Sequence, residues 1–204
     1  MTDAVLAAKV DRGQLREQIS VKYSDVALQP EQGFHFHTGR PLAAMLGYGE
    51  AEVDGLPQAT VDSFAGTGNP FSLGRLRPGE TVLDIGCGAG FDTLLAAQQV
   101  GPAGRVIAVD MTEAMLGMTR AGAAALGLGN VEVRHGFAEE LPAPSESVDV
   151  VISNGVINLC PDKVAVMDEI HRVLRPGGHF QIGDIVVQRE VPQDAKDDID
   201  LWSG

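Results

Sequence analysis

The run Val82-Leu83-Asp84-Ile85-Gly86-Cys87-Gly88-Ala89-Gly90-Phe91-Asp92 places three alternate glycines between an apolar stretch and a helix-like one. Val82, Leu83 and Ile85 fit a buried strand, while Gly86, Gly88 and Gly90 permit a tight turn whose backbone can approach a ligand closely. A helix beginning just after the turn points its positive N-terminus at the same ligand. Alone, such a turn also suits nicotinamide and flavin dinucleotides. Two acids narrow the choice. Asp84, directly before the glycines, would repel a pyrophosphate and attract a cationic group. Asp110 ends the next apolar run 20 residues after Gly90, where its carboxylate can accept from both hydroxyls of a ribose, and Met111 beside it can pack on a purine.

Either acid taken singly also reads as an ordinary strand-end polar residue. With the glycines, the two describe a site for a nucleoside that carries positive charge, which is the chemistry of S-adenosylmethionine and its α-ammonium group. The predicted cofactor contacts are Asp84, Gly86, Cys87, Gly88, Asp110 and Met111, with Phe137 and Ala138 against adenine and Glu139 accepting from its exocyclic amine. Asn154 belongs either to the loop beside the reactive methyl or to a local turn cap. Asn69 contributes from the preceding region. Cys87, in the glycine turn, reads most plainly as a small buried side chain.

Positioning these residues requires a particular order of elements. From Gly79 onward, short β-branched runs alternate with helical segments: TVLDI, Asp92 to Val100, RVIAVD, Thr112 to Leu126, VEVRHG, a polar loop, VDVVIS, Asp162 to Leu174, and HFQIGDIVV. Strands separated by helices form right-handed crossovers and a parallel sheet. The expected class is therefore α/β, a mostly parallel sheet of at least five strands with helices on both faces. Turn signals at Gly101-Pro102, Gly127 to Asn130, Pro142 to Pro144 and Pro176-Gly177-Gly178 fall between the elements. Upstream, Val5, Leu6, Val10, Leu15, Ile19 and Val21 recur loosely at helical spacing, and Gln29 to Gly68 shows no sustained period. Residues 1–70 are thus read as a helical and irregular cap, and residues 71–204 as the ligand-binding domain.

These residues resemble the class I S-adenosylmethionine-dependent methyltransferases, and within them the arsenite methyltransferases. The general likeness runs from Gly79 to Val187, through TVLDIGCGAGFD, GRVIAVDMTEAML, NVEVRHGFAEELP, SVDVVISNGVINL and HRVLRPGGHFQIGDIV. The narrower one adds Leu46 to Gly49, Ala65 to Pro70, SNGVINLCPDK and Asp200 to Gly204. The resemblance implies a Rossmann-like fold and methyl transfer to a small molecule, with a soft nucleophile such as arsenite as the candidate acceptor. It also implies thiolates that hold trivalent arsenic. The chain has Thr67 and Gly155 where two of those cysteines are expected, and a third would follow Gly204, so Thr67 and Cys160 are the acceptor-side candidates. A non-catalytic binding relative and a nicotinamide-dependent oxidoreductase are the alternatives. The family sheet has seven strands, so the C-terminal strands are expected to be missing after Asp194 to Trp202. That leaves an open sheet edge through which a homo-oligomer could form.

Composition narrows the partners. The 204 residues suffice for one substantial core, and 28 acidic against 15 basic residues give a field that repels polyanions, so neither nucleic acid nor an anionic membrane is expected. No apolar run approaches the roughly 20 residues that span a bilayer. The N-terminus lacks the features of a secretory signal, and two cysteines suggest no disulfide framework, which together point to a cytoplasmic protein. His35 and His37 alternate with Phe34 and Phe36, but a metal site needs more ligands than this, and no metal is expected. His135, His171 and His179 are candidates for a base only if they face the methyl group.

Overall fold

The computed structural model describes residues 11–28, 37–189 and 191. His35, the first residues through Val10 and the predicted helix Asp194 to Trp202 lie outside them. The chain begins with α1 (Arg12–Leu28), followed by three short helices, α2 (Gly39–Met45), α3 (Glu50–Asp54) and α4 (Gln58–Asp62), and a 3-10 turn at Pro70–Leu73. The alternating part comprises β1 (Thr81–Ile85), α5 (Phe91–Val100), β2 (Arg105–Asp110), α6 (Glu113–Ala125), β3 (Val131–His135), β4 (Val148–Asn154), a 3-10 turn at Ile157–Leu159, α7 (Lys163–Val173) and β5 (Leu174–Gly183).

All five strands are parallel and lie in the order β3-β2-β1-β4-β5. The three inner strands are nearly continuous apolar runs because both of their faces are covered. On one face α5 packs through Ala96, Ala97 and Val100 on Val82, Val106, Val150 and Ile152; on the other, α7 packs through Val166, Ile170 and Val173 on Leu83, Ile107 and Val151. Burial of these side chains is the main stabilising term. The outer strand β3, VEVRH, is only half-buried and correspondingly mixes charge with valine.

The fifth strand departs from its sequence reading. Pairing with β4 starts at Leu174 and shifts register after Val148, so Arg175 to Gly178 loop out and pairing resumes with Val150 opposite His179. It ends at Gly183, because the next residue turns inward: the Asp184 carboxylate accepts from Ile157 N (2.8 Å) and Asn158 N (3.3 Å) at the start of the second 3-10 turn. Ile185, Val186 and Val187, read as strand, therefore lie beyond it and exposed.

The cap helices share a core with the sheet domain. Leu42, Tyr48, Val53, Leu56, Val61 and Phe64 pack with Phe91, Leu94 and Leu95 of α5. Phe64 stacks on Phe91 at 4.0 Å, and Tyr48 meets both rings edge-on. Helix α1 buries Leu15, Ile19 and Val26, the last against Ala89 and Met115, and leaves Val21 exposed.

Candidate cofactor site

Strand order reverses between β1 and β4. Ligands of open α/β sheets bind at the carboxyl ends of the strands beside such a switch point. A cleft open to solvent at its mouth lies there. Its walls include Asp84 to Ala89, Phe91, Asp92, Val109 to Thr112, Gly136 to Glu139, Asn154 to Val156 and Cys160.

The glycine turn is held from below. Gly86 N and Cys87 N both donate to Val109 O, at 2.8 and 2.9 Å, which ties the turn to β2. Gly86 has φ +70°, and a Cβ there would sit 2.3 Å from Val156 Cγ2, so only glycine lets the two loops meet. Gly88 has φ +52° with nothing within 4 Å of its missing side chain, on the open side of the turn. Cys87 turns its sulfur toward α6, 3.8 Å from Thr119 Oγ1, and burial pushes its thiol well above the ordinary range. It is a packed small side chain whose backbone borders the cleft.

Asp110 accepts from Gly88 N (2.9 Å) on one oxygen and Thr112 N (2.8 Å) on the other. Those bonds fix the carboxylate at the cleft rim and leave lone pairs on each oxygen for further donors. Asp84 is buried at the end of β1 and accepts from Thr93 Oγ1 at 2.6 Å. Burial, with the nearby Asp92 charge second, pushes its carboxyl up to about 8. Asp92, in the first turn of α5, is pushed up by burial to about 6 while its bonds from Tyr48 and Asn154 pull it down.

Asn154 is the hub that joins cap to sheet. Its Nδ2 donates to Asp92 Oδ2 (2.9 Å) and Gly68 O (2.8 Å), and its Oδ1 accepts from Thr67 N (2.8 Å) and Gly68 N (2.9 Å). Tyr48 OH donates to Asp92 Oδ1 at 2.6 Å. The amide is thereby spent on holding residues 66–68 against the sheet, although Asn154 still borders the cleft. Tyr48 and Asp92 fall within quoted stretches, Leu46 to Gly49 and TVLDIGCGAGFD, but no role was read for either, since their partners lie far along the chain.

Two sequence candidates stand away from the cleft walls. Asn69 caps the first 3-10 turn by accepting from Phe71 N (3.0 Å), and Thr67 is exposed, with Oγ1 donating to Gly183 O at 3.3 Å. The cap contributes Ser63 to Gly66 to the walls instead. Thr67 does touch Gly155: a Cβ on that glycine would lie 3.0 Å from Thr67 Cγ2. The two positions where the resemblance implies thiols are neighbours, and neither holds sulfur. Cys160 does line the cleft, with Sγ 3.4 Å from Val156 O and its thiol pushed up to about 12 by burial.

Helix α1 supplies residues that no motif marks. Arg16, Ile19 and Tyr23, spaced to share one helix face, line the cleft from above. Burial, then the charges of Asp110 and Asp184, push the Tyr23 phenol up to about 12. Glu139 pairs with Arg16 at 3.2 Å. His35 aside, the histidines keep apart: no group of three or more His, Cys, Asp or Glu able to hold a metal occurs among the described residues. No helix among them is long and apolar enough to cross a membrane.

The strand order, the glycine turn and the acid at the end of β2 fit a class, the Rossmann-like S-adenosylmethionine-dependent methyltransferases. Residues 76–203 match the family described as "Methyltransferase domain", and the chain belongs to that family. An arsenite methyltransferase of Halobacterium salinarum is 48% identical over 159 residues, covering 78% of this chain and 40% of that protein. A demethylmenaquinone methyltransferase of Listeria monocytogenes is 42% identical over 53% of the chain and 46% of its own length. The crystal structure of an arsenic(III) S-adenosylmethionine methyltransferase from Chlamydomonas reinhardtii superposes with TM-score 0.60 at 37% identity, over 78% of this chain and 53% of that one. The chain thus spans 40 to 46% of the length of these curated relatives.

Proposed function

We propose that the chain binds S-adenosylmethionine in this cleft and directs its methyl group to a small soft nucleophile, arsenite being the first candidate. The observation that carries the reading is the convergence of Asp84, Asp92 and Asp110 on one cleft, with no salt bridge to any of them among the described residues. A ligand bearing ammonium and sulfonium charges supplies what these buried acids lack, and a pyrophosphate does not. When bound, S-adenosylmethionine supplies an electrophilic methyl group. The chain's own part is to hold and align. Asp110 offers its remaining lone pairs to ribose hydroxyls, Met111, Phe137 and Ala138 give the adenine apolar walls, and Gly86 and Gly88 let the backbone come close. Transfer then depends mainly on proximity and in-line geometry, which asks little covalent help of the protein.

The arsenite methyltransferase likeness and the Cys160 thiol in the cleft wall support the soft acceptor. The neighbouring Thr67 and Gly155 support a second reading, a relative that binds the cofactor without transferring its methyl. Calorimetry with S-adenosylhomocysteine is the first test: saturable binding is expected, Asp110→Ala should weaken it at least about tenfold, and absence of binding at millimolar ligand would sink the proposal. Mass spectrometry of arsenite, a small thiol and a phenol incubated with S-adenosylmethionine then separates the two readings.

A further inference from the structure

We propose that Asp92 is a catalytic base for methyl transfer to a neutral thiol: its carboxylate takes the thiol proton as the sulfur receives the methyl group, and Tyr48 holds that carboxylate in place. The inference rests on the cofactor reading above and adds to it an activity, a catalytic residue and a positioning residue.

Under that reading Asp110 meets the ribose and Asp84 the ammonium group, which leaves the wall formed by Phe64, Ala65, Gly66, Gly155, Val156 and Cys160 for the acceptor. Asp92 borders the cleft beside this wall. Its Oδ2 accepts from Asn154 Nδ2 at 2.9 Å, and a Cβ on Gly66 would sit only 2.4 Å from the same nitrogen. Among the described residues the single Lys or Arg side chain on the cleft wall is Arg16, which pairs with Glu139. A neutral acceptor therefore suits the cleft better than an anion. A neutral thiol must shed its proton on methylation, and so it needs a base.

Tyr48 OH donates to Asp92 Oδ1 at 2.6 Å, and Asn154 Nδ2 donates to the phenol oxygen at 3.1 Å as well as to Asp92. Burial, then the Asp92 charge, holds the Tyr48 phenol far above its ordinary range, so Tyr48 keeps its proton and acts only as a donor to Asp92. Each carboxylate oxygen retains a lone pair for one further donor. The titratable groups facing Asp92 are Tyr48 from the cap and Asp84 from β1, and no salt bridge reaches it among the described residues. Burial pushes Asp84 up to about 8 and Asp92 to about 6, so Asp92 is the member ionised at neutral pH. Such a base is better matched to a thiol, which ionises near about 8.5, than to a phenol near about 10.

The step balances. A lone pair of the acceptor sulfur forms the new bond to the methyl carbon, and the carbon–sulfonium bond breaks with its electron pair left on the departing thioether. The acceptor S–H bond breaks with its pair kept on sulfur, and the proton passes to Asp92. One positive and one negative charge vanish together inside the cleft.

The test follows methyl transfer from S-adenosylmethionine to ethanethiol, to the more acidic trifluoroethanethiol and to arsenite, with the whole chain, by mass spectrometry. Asp92→Asn is expected to keep saturable binding of S-adenosylhomocysteine, which separates it from a folding failure, and to lose about 100-fold in kcat toward ethanethiol near neutral pH. The loss should be smaller for trifluoroethanethiol, which gives up its proton more readily. Arsenite attacks through an arsenic that bears no proton, so its transfer should fall by less than about tenfold. In Tyr48→Phe, which keeps the base, the pH of half-maximal kcat toward ethanethiol should move upward, because the phenol bond had been lowering the Asp92 carboxyl. Equal kcat toward ethanethiol in Asp92→Asn and the unaltered protein overturns the proposal. So does transfer to arsenite with none to either thiol, or binding of S-adenosylhomocysteine with transfer to none of the three. An unmoved pH midpoint in Tyr48→Phe overturns the positioning role. If S-adenosylhomocysteine does not bind, the cofactor reading falls and takes this inference with it.

Discussion

Asp84 and Asp92 are acids buried almost completely in the cleft wall, and their protons follow from that. Because burial raises both above the ordinary 3.8, the folded chain holds these protons more tightly than the unfolded one. The stability this confers is full below 3.8 and is lost as pH rises through about 6 for Asp92 and about 8 for Asp84. In the ligand-free protein, Asp84→Asn should therefore gain in melting temperature relative to the unaltered chain as pH climbs across that window. A constant difference across the window would contradict the assignment. A cationic ligand favours the charged carboxylates, so its binding at neutral pH should release protons. Titrations in buffers of differing ionisation enthalpy would reveal the release as a buffer-dependent heat.

Between elements, two glycines of one turn have different duties. At Gly86 a methyl group meets Val156 of the loop after β4, so Gly86→Ala is expected to cost about 2 kcal/mol or more in urea unfolding. Gly88→Ala meets nothing in the protein and should cost only about 1 kcal/mol of backbone strain, yet it should lower ligand affinity because its Cβ enters the cleft. The reverse ranking would mean that the turn is oriented otherwise. The junction of cap and sheet rests on Tyr48, Asp92 and Asn154. Tyr48→Phe removes the 2.6 Å bond to Asp92 and is expected to destabilise by about 1–2 kcal/mol. By loosening residues 66–68, it should also weaken ligand binding.

At the scale of the molecule, the sheet is covered unevenly. Strand β5 pairs only with β4 among the described residues, and Phe180, Ile185, Val186 and Val187 are exposed on or just after it. An open edge with apolar side chains favours association. Light scattering at rising concentration should show masses above the monomer, reduced by the double change Phe180→Lys and Val186→Lys. A monomer at every concentration would rule out self-association through this edge.

The sequence by itself determined the alternation of strand and helix, the glycine turn, and the placement of Asp84 just before that turn and of Asp110 at the end of the next strand. Each of these follows from simple physics: β-branched runs favour strands, glycine adopts positive φ most readily, and acids at the carboxyl ends of parallel strands lie at the same edge of the sheet. The tertiary structure decided what covers the cleft. Arg16 meets Glu139, and Tyr48 meets Asp92 and Asn154, across long stretches of chain with no shared pattern to betray the contact. Thr67 and Asn69 were plausible from their neighbours, but their direction is set by how residues 63–74 fold onto α5 and β5. Where the chain crosses itself, the energy lies in pairs, and a linear reading sees only one member at a time.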